Sequence, residues 1–392
     1  MPDPRWVNPP RLRSTDREAG ERHATWVELF FDLVFVVAVA QLSHLISNDP
    51  SATSFLHYAL LFAPVWFIWV SFTVYADRFD TDDVPHRLLV LTGMAVVAAL
   101  AVHVDDAFGG GSFPFALCSI FARAILLAMN VRAMRAVPAA RDYIAFCVRG
   151  WSAGLLLWVV SLAVPEPGRY VVWGAAVLVE VATPLMAERR IGTVPLHLSH
   201  IGERFALFTI VVLGESVVSV TAGIAEVDFD LANSVIAVGA FVTASAFAWV
   251  YFERLGTGLI GSTLYVYAHF VVYLGLAAVG PGTLLAIEAA DYSAMPAGAR
   301  AALCGGAALY LLGLSLVAAP TRRSEAGRRR ISARCVTAAA AVTIAFLGAA
   351  IAPVATVLLL AAVTVADLVY ELVATGESDE HDASPLDLPE SA

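Results

Sequence analysis

The chain has 392 residues, 59% hydrophobic and only 15% charged, with a formal net charge of −10 and a mean hydropathy of +0.75. Soluble domains run nearer 45–50% apolar and about 25% charged, so this composition excludes an ordinary soluble protein and describes a polytopic membrane protein. The acidic balance argues against nucleic acid as a partner, and in a lipid-embedded chain the distribution of charge says more than its sum.

All 24 basic residues are arginine, which we read, with the abundance of Ala and Val, as the composition of a high-GC bacterial genome. Cys118, Cys147, Cys304 and Cys335 lie singly in or beside apolar runs, without the spacing of a metal site or disulfide framework. No cofactor motif is present. The Gly109-Gly110-Gly111 run is not followed by the Lys-Ser/Thr pair that a phosphate-cradling loop needs.

In chain order, residues 1–24 are polar, with Pro9, Pro10 and five arginines, and form a poor secretory signal. A bilayer core of about 30 Å needs about 20 helical residues. Runs of that size recur over Trp26–Ile46, Phe55–Tyr75, Leu88–Val104, Phe113–Met134, Tyr143–Val164 and Tyr170–Met186. They continue over Phe205–Ala222, Ala232–Phe252, Leu264–Ala286, Ala301–Ala318, Ala333–Ile351 and Val354–Val373. The expected fold is all-α with about twelve transmembrane helices, the last two of which could join as one element bent at Pro353. Residues 376–392 read as a disordered acidic tail.

Arginines set the orientation. With the N-terminus inside, the inner segments hold nearly all of them, from Arg5 through Arg78, Arg87, Arg132, Arg189 and Arg254 to Arg334. Arg169 and Arg300 remain outside, with Asp105, Asp106, Glu226, Asp228, Asp230 and Asp291. This bias predicts both termini cytoplasmic and an even number of spans.

An internal repeat accompanies the even count. A shift of 175 places Glu28-Leu29-Phe30 on Glu203-Arg204-Phe205, and a shift of 176 places Val74-Tyr75-Ala76-Asp77-Arg78 on Val250-Tyr251-Phe252-Glu253-Arg254. Charges at matching depths in consecutive helices predict two parallel six-helix repeats, residues 25–196 and 197–375, related by an axis along the membrane normal.

The segments TWVELFFDLVFVVAVAQLSH (Thr25 to His44) and HIGERFALFTIVVLGESV (His200 to Val217) carry a resemblance to the bacterial low-temperature-requirement A family. The matching positions are Glu28, Phe30, Phe31, Asp32, His44, His200, Glu203, Arg204, Phe205, Gly214 and Glu215. The resemblance runs from about Trp26 to about Val373 and implies a multi-pass inner-membrane protein, with no particular substrate. A looser likeness, an acid beside Phe in a first helix with a six-helix repeat, is to proton-activated potassium channels. This chain has Phe-Phe-Asp at Phe30 to Asp32 where those have Phe-Ser-Asp.

Two groups of charged residues are candidates for function. Glu28 and Asp32, four apart, share a helix face near the cytoplasmic surface. With Arg78, Glu203, Arg204 and Arg254 they predict a charge cluster, either a clamp between the halves or the vestibule of an ion path. Glu215 lies about 18 Å further up its helix than Glu203, where an unpaired carboxylate costs at least about 2.5–3.5 kcal/mol. Arg123, His269 and His44 are its candidate partners, and Gly214 is expected to let a neighbouring helix approach. His197, His200 and Glu203 drift around a helix rather than holding one face, so packing is favoured over a metal site. Ser216 lacks the Gly-x-Ser-x-Gly elbow, and no enzyme is expected. The function expected is transport or channelling of protons or small cations, with the lipid bilayer as the other partner. The alternative is a non-transporting structural or regulatory membrane protein supporting the envelope at low temperature.

Overall fold

The computed structural model describes residues 6, 8–13, 25–81, 83–192, 194, 196, 198–227, 230–253 and 263–382. Among them, twelve helices are long and apolar enough to cross a membrane. They are α1 (Trp26–Asn48), α2 (Ala52–Arg78), α3 (Val84–Val102), α4 (Ser112–Ala136), α5 (Arg141–Ser161) and α6 (Gly168–Ile191), then α7 (Leu198–Glu226), α8 (Leu231–Phe252), α9 (Thr263–Glu288), α10 (Ala297–Val317), α11 (Glu325–Leu347) and α12 (Pro353–Asp382). Each expected run overlaps one helix.

Among the described residues, five of the twelve starts carry a side-chain cap. Thr25, Ser51, Asp83, Asp230 and Ser324 each accept a hydrogen bond at the N-terminus of α1, α2, α3, α8 and α11, satisfying backbone donors the helix leaves over. Pro353 begins a separate helix instead of bending one, because a first-turn proline gives up an N–H that would have no helical partner anyway. The acidic tail is helical to Asp382, beyond the residue at which disorder was expected, and residues 383–392 lie outside the described residues.

One addition to the all-α expectation is a two-residue ladder, β1 (Arg11–Leu12) antiparallel to β2 (Phe79–Asp80). It lays the N-terminal segment on the α2–α3 connection. Asn8 donates its N–H to Asp83 Oδ2 at 2.8 Å, and Arg132, near the end of α4, reaches both Asp83 and the Asn8 carbonyl. These elements mark an arginine-rich face. At the opposite face the α9–α10 connection meets the α11–α12 connection, Met295 N–H to the Gly348 carbonyl at 2.9 Å, while Pro50 abuts Gly298.

The core is centred on α9, which packs on α1, α2, α7, α8, α10 and α12. Lipid is as apolar as leucine, so close helix contact in a membrane needs small residues. Gly275 and Gly282 of α9 lie against the backbone of α10: a Cβ would fall 2.4 Å from Tyr310 N and 2.3 Å from Leu303 N, respectively. Leu303 itself sits in a π-helical turn, Ala301–Gly305. Pro281 leaves the Ala277 carbonyl, four residues earlier, without its helical donor, and Ser43 of α1 supplies one at 3.1 Å. Side chains such as Leu178, Val238 and Phe346, 63–78% exposed, form the lipid-facing surface.

Six helix pairs that touch within α1–α6 recur in the same order within α7–α12. The contacts α1–α2, α1–α3, α3–α4, α4–α5, α5–α6 and α2–α6 have counterparts in α7–α8, α7–α9, α9–α10, α10–α11, α11–α12 and α8–α12. The 175-residue register does not hold side chain by side chain: Phe30 is 46% exposed, Phe205 is fully buried, and the buried phenylalanines of α1 are Phe31 and Phe35.

Candidate functional site

Where α1, α2 and α7 meet near the arginine-rich face, three of the six residues expected to cluster, Glu28, Asp32 and Arg204, come together with Trp69, Asp77 and His200. Arg204 grips Asp32 with two bonds, Nε to Oδ2 at 2.9 Å and Nη2 to Oδ1 at 2.6 Å. Trp69 of α2 donates its indole N–H to Asp32 Oδ1 at 2.7 Å. All three are buried. A paired guanidinium and carboxylate with a further donor is the arrangement that makes a buried charge tolerable. Beside it, His200 bridges two acids, with Nδ1 3.1 Å from Asp77 Oδ1 and Nε2 3.4 Å from Glu28 Oε2. Glu28 also closes a capping box, accepting the Thr25 N–H at 2.7 Å while its own N–H donates to Thr25 Oγ1. The Thr25-x-x-Glu28 spacing was a readable signal for this.

Of the other expected members, one stands elsewhere. Arg78 turns away, donating Nη2–H to the Tyr143 hydroxyl at 3.3 Å and lying 4.9 Å from that ring's centroid. Glu203 is half-buried on α7 and has interactions of its own. Arg254, like His197, lies outside the described residues.

Glu215 is buried just past the middle of α7. Ser219 donates a hydrogen bond to it at 3.4 Å, and the exposed imidazole of His44 is within electrostatic reach. Neither other expected partner meets it. Arg123 pairs with Glu180 of α6 through Nε at 2.5 Å and lies 4.5 Å from the Trp158 ring centroid. His269 shares a hydrogen bond with the Tyr251 hydroxyl at 3.1 Å and another with the Tyr265 carbonyl at 2.8 Å. Gly214 does not provide the close approach either, since nothing lies within 4 Å of where its Cβ would be. Gly280 of α9 does so, 2.9 Å from Ser216 Cα.

Between Glu215 and the Asp32–Arg204 pair stands a stack of rings. Trp69 lies 4.1 Å from Phe208 and 5.1 Å from Phe205, and Phe208 lies 4.9 Å from Tyr273. Along α7 the two charged sites are separated by eleven residues, about 16 Å.

A further ion pair went unread in the sequence. Arg334 of α11 holds Glu371 of α12 through Nε at 2.6 Å and Nη2 at 2.9 Å, and Thr337 donates to the neighbouring Asp367 at 3.2 Å. The signal was two acids spaced by four in the last apolar run.

The likeness to known proteins follows the same residues. The model of a family described as "Bacterial low temperature requirement A protein" matches residues 23–370. An uncharacterized protein, RA0937, of Rhizobium meliloti is 30% identical over 219 residues, 54% of this chain. The matched stretch spans 52% of that protein's length. With its Glu28–Asp32 and Arg204–Glu215 blocks inside a match that runs through all twelve helices, the chain belongs to the bacterial low temperature requirement A family.

Proposed function

We propose that this protein moves protons or small cations across the bacterial inner membrane, with its arginine-rich face toward the cytoplasm and Glu215 as the titrating group on the path. The observation that carries this reading is an inequality among the deep carboxylates. Asp32, Glu180 and Glu371 are each neutralised by an arginine. Glu215 has instead a serine hydroxyl and the field of one imidazole, whereas Asp367, held by Thr337, still lies in the field of Arg334. A buried acid without a fixed counter-charge is the kind that binds and releases a cation, whereas the arginine pairs are suited to holding helices in register. The stack of Trp69, Phe205 and Phe208 gives the path an apolar barrier between Glu215 and the cytoplasmic charges. The matched packing order supports two six-helix halves of common origin, and α1 and α7, the first helix of each, supply the acids and bases of the path.

Purified protein in liposomes loaded with a pH-sensitive dye, given proton, potassium and sodium gradients in turn, tests this. Flux should occur with one of these ions, and Glu215→Gln should abolish it while leaving the melting temperature unchanged. No flux from folded protein with any of the three would favour a non-transporting role in the envelope, and flux unchanged in Glu215→Gln would remove Glu215 from the path.

A further inference from the structure

A cavity of about 70 Å³ lies beside the arginine-rich end of α2. Its walls are mostly apolar, with Phe67, Val70, Val74, Ile144 and Val266 among them, and Arg78 and Trp151 also line it. Of its polar groups, Nε of Arg78 and Nε1 of Trp151 are buried donors with no hydrogen-bond partner among the described residues, as is the Tyr75 hydroxyl. Leaving a buried donor unsatisfied costs about 1–3 kcal/mol, more for a charged group, so such groups on side chains that line one cavity call for acceptor oxygens within it.

The arginine defines the acceptor. Arg204 and Arg334 each present the Nε–Nη2 edge of the guanidinium to both oxygens of a carboxylate. Arg78 offers the same edge with Nε empty and Nη2 held only by the neutral Tyr143 hydroxyl at 3.3 Å. That edge matches a carboxylate or phosphate in two-point geometry. Its position at the end of a membrane-spanning helix, beside an apolar cavity, adds a hydrocarbon requirement to the anionic one.

We infer that this cavity binds an anionic phospholipid of the surrounding leaflet, its phosphate on the Nε–Nη2 edge of Arg78 and the start of one acyl chain against Phe67, Val70 and Ile144. Trp151 donates its indole N–H to an ester or phosphate oxygen. The site is independent of Glu215 and of the transport reading, because Arg78 and Trp151 belong to neither the Asp32–Arg204 pair nor the Glu215 surroundings.

Thermal melts of the full-length protein in detergent, titrated with phosphatidylglycerol, with phosphatidylcholine or with inorganic phosphate, test it. Phosphatidylglycerol should raise the melting temperature saturably, and neither of the other two should. In Arg78→Gln the titration midpoint should move to about tenfold higher lipid, the effect of losing one charge-assisted hydrogen-bonding edge. Trp151→Phe, which keeps an aromatic ring and deletes only the donor, should move it about threefold and stands in if Arg78→Gln fails to fold. Arg329→Gln, at an exposed arginine paired with Glu325, should leave it unchanged. An equal rise with inorganic phosphate would make the occupant a soluble anion and overturn the lipid assignment. An equal rise with phosphatidylcholine would do so by removing the anionic requirement. Midpoints unchanged in both Arg78→Gln and Trp151→Phe would overturn the site.

Discussion

Asp32 shows what a buried carboxylate demands, and Arg204→Gln should show what it costs. Removing the guanidinium leaves a charge with only the Trp69 N–H beside it, and breaking a buried pair from one side costs about 3–5 kcal/mol. Melting in detergent should fall sharply for Arg204→Gln and recover in large part when Asp32→Asn is added, because the neutral amide still accepts from Trp69. A double mutant no more stable than Arg204→Gln would mean that the two residues act independently. At the arginine-rich surface, Asp83 responds to pH. Burial alone would raise its pKa, but Arg132 and the backbone N–H groups of His86 and Asn8 outweigh that and hold it below the usual carboxylate range. An unfolded aspartate titrates near about 3.9. The attachment of the N-terminal segment is therefore complete above that pH and is lost as pH falls through the lower folded value. Protection of the Asn8 and Arg13 amides, whose N–H groups donate to Asp83 and to the Arg78 carbonyl, should fall there relative to intrinsic exchange at the same pH, and Asp83→Asn should lower it at neutral pH. Glu28 and Asp32 were legible because charges in an apolar run stand out. Their partners were less so: Trp69 and Asp77 belong to another helix, and only the fold brings them within 3.1 Å of Asp32 and His200.

Helix α6 explains one misreading. Hydropathy placed its span at Tyr170–Met186 and Arg123 was a candidate partner for Glu215, but the helix runs on to Ile191 and centres Glu180 in the membrane opposite Arg123. The continuation contains Glu188, Arg189 and Arg190, which lower an apolar average without ending a helix. Room for Glu180 comes from Gly154 of α5, where a Cβ would lie 2.8 Å from its Cγ. Helix α9 was legible as a span, yet not as the centre of the fold, since burial on every side looks in sequence like exposure to lipid on every side. Its glycines separate two kinds of effect. Gly282→Ala places a methyl 2.3 Å from Leu303 N, and because backbone cannot step aside as a side chain can, the loss should be at least about 1–3 kcal/mol. Gly214→Ala meets nothing within 4 Å and should stabilise α7 by about 0.5–1 kcal/mol, the helix-propensity gain. The two melting shifts should therefore have opposite signs, and a fall for Gly214→Ala would mean that its face is covered in the membrane.

At the scale of the whole molecule, the arginines and the packing give one arrangement from two directions. The bias of charge along the sequence divides the connections into two sets, and the contacts divide them in the same way: Asn8, Asp83 and Arg132 meet at one end, Met295 and Gly348 at the other. Positively charged connections are retained on the cytoplasmic side during insertion, so the first end should face the cytoplasm. In a background with Cys118, Cys147, Cys304 and Cys335 replaced, single cysteines at Asp105 and Arg329, both exposed, report on opposite ends. Asp105→Cys should react with a membrane-impermeant maleimide in spheroplasts, and Arg329→Cys only after permeabilisation. The reverse pattern would invert the molecule. It would put the Asp32–Arg204 site on the outer side of the ring stack and Glu215 nearer the cytoplasm, so that a cation entering from outside would meet the arginine pairs first. The labelling result therefore decides from which side Glu215 is loaded, and a proton gradient imposed in that direction is the one under which Glu215→Gln should show its largest loss of flux.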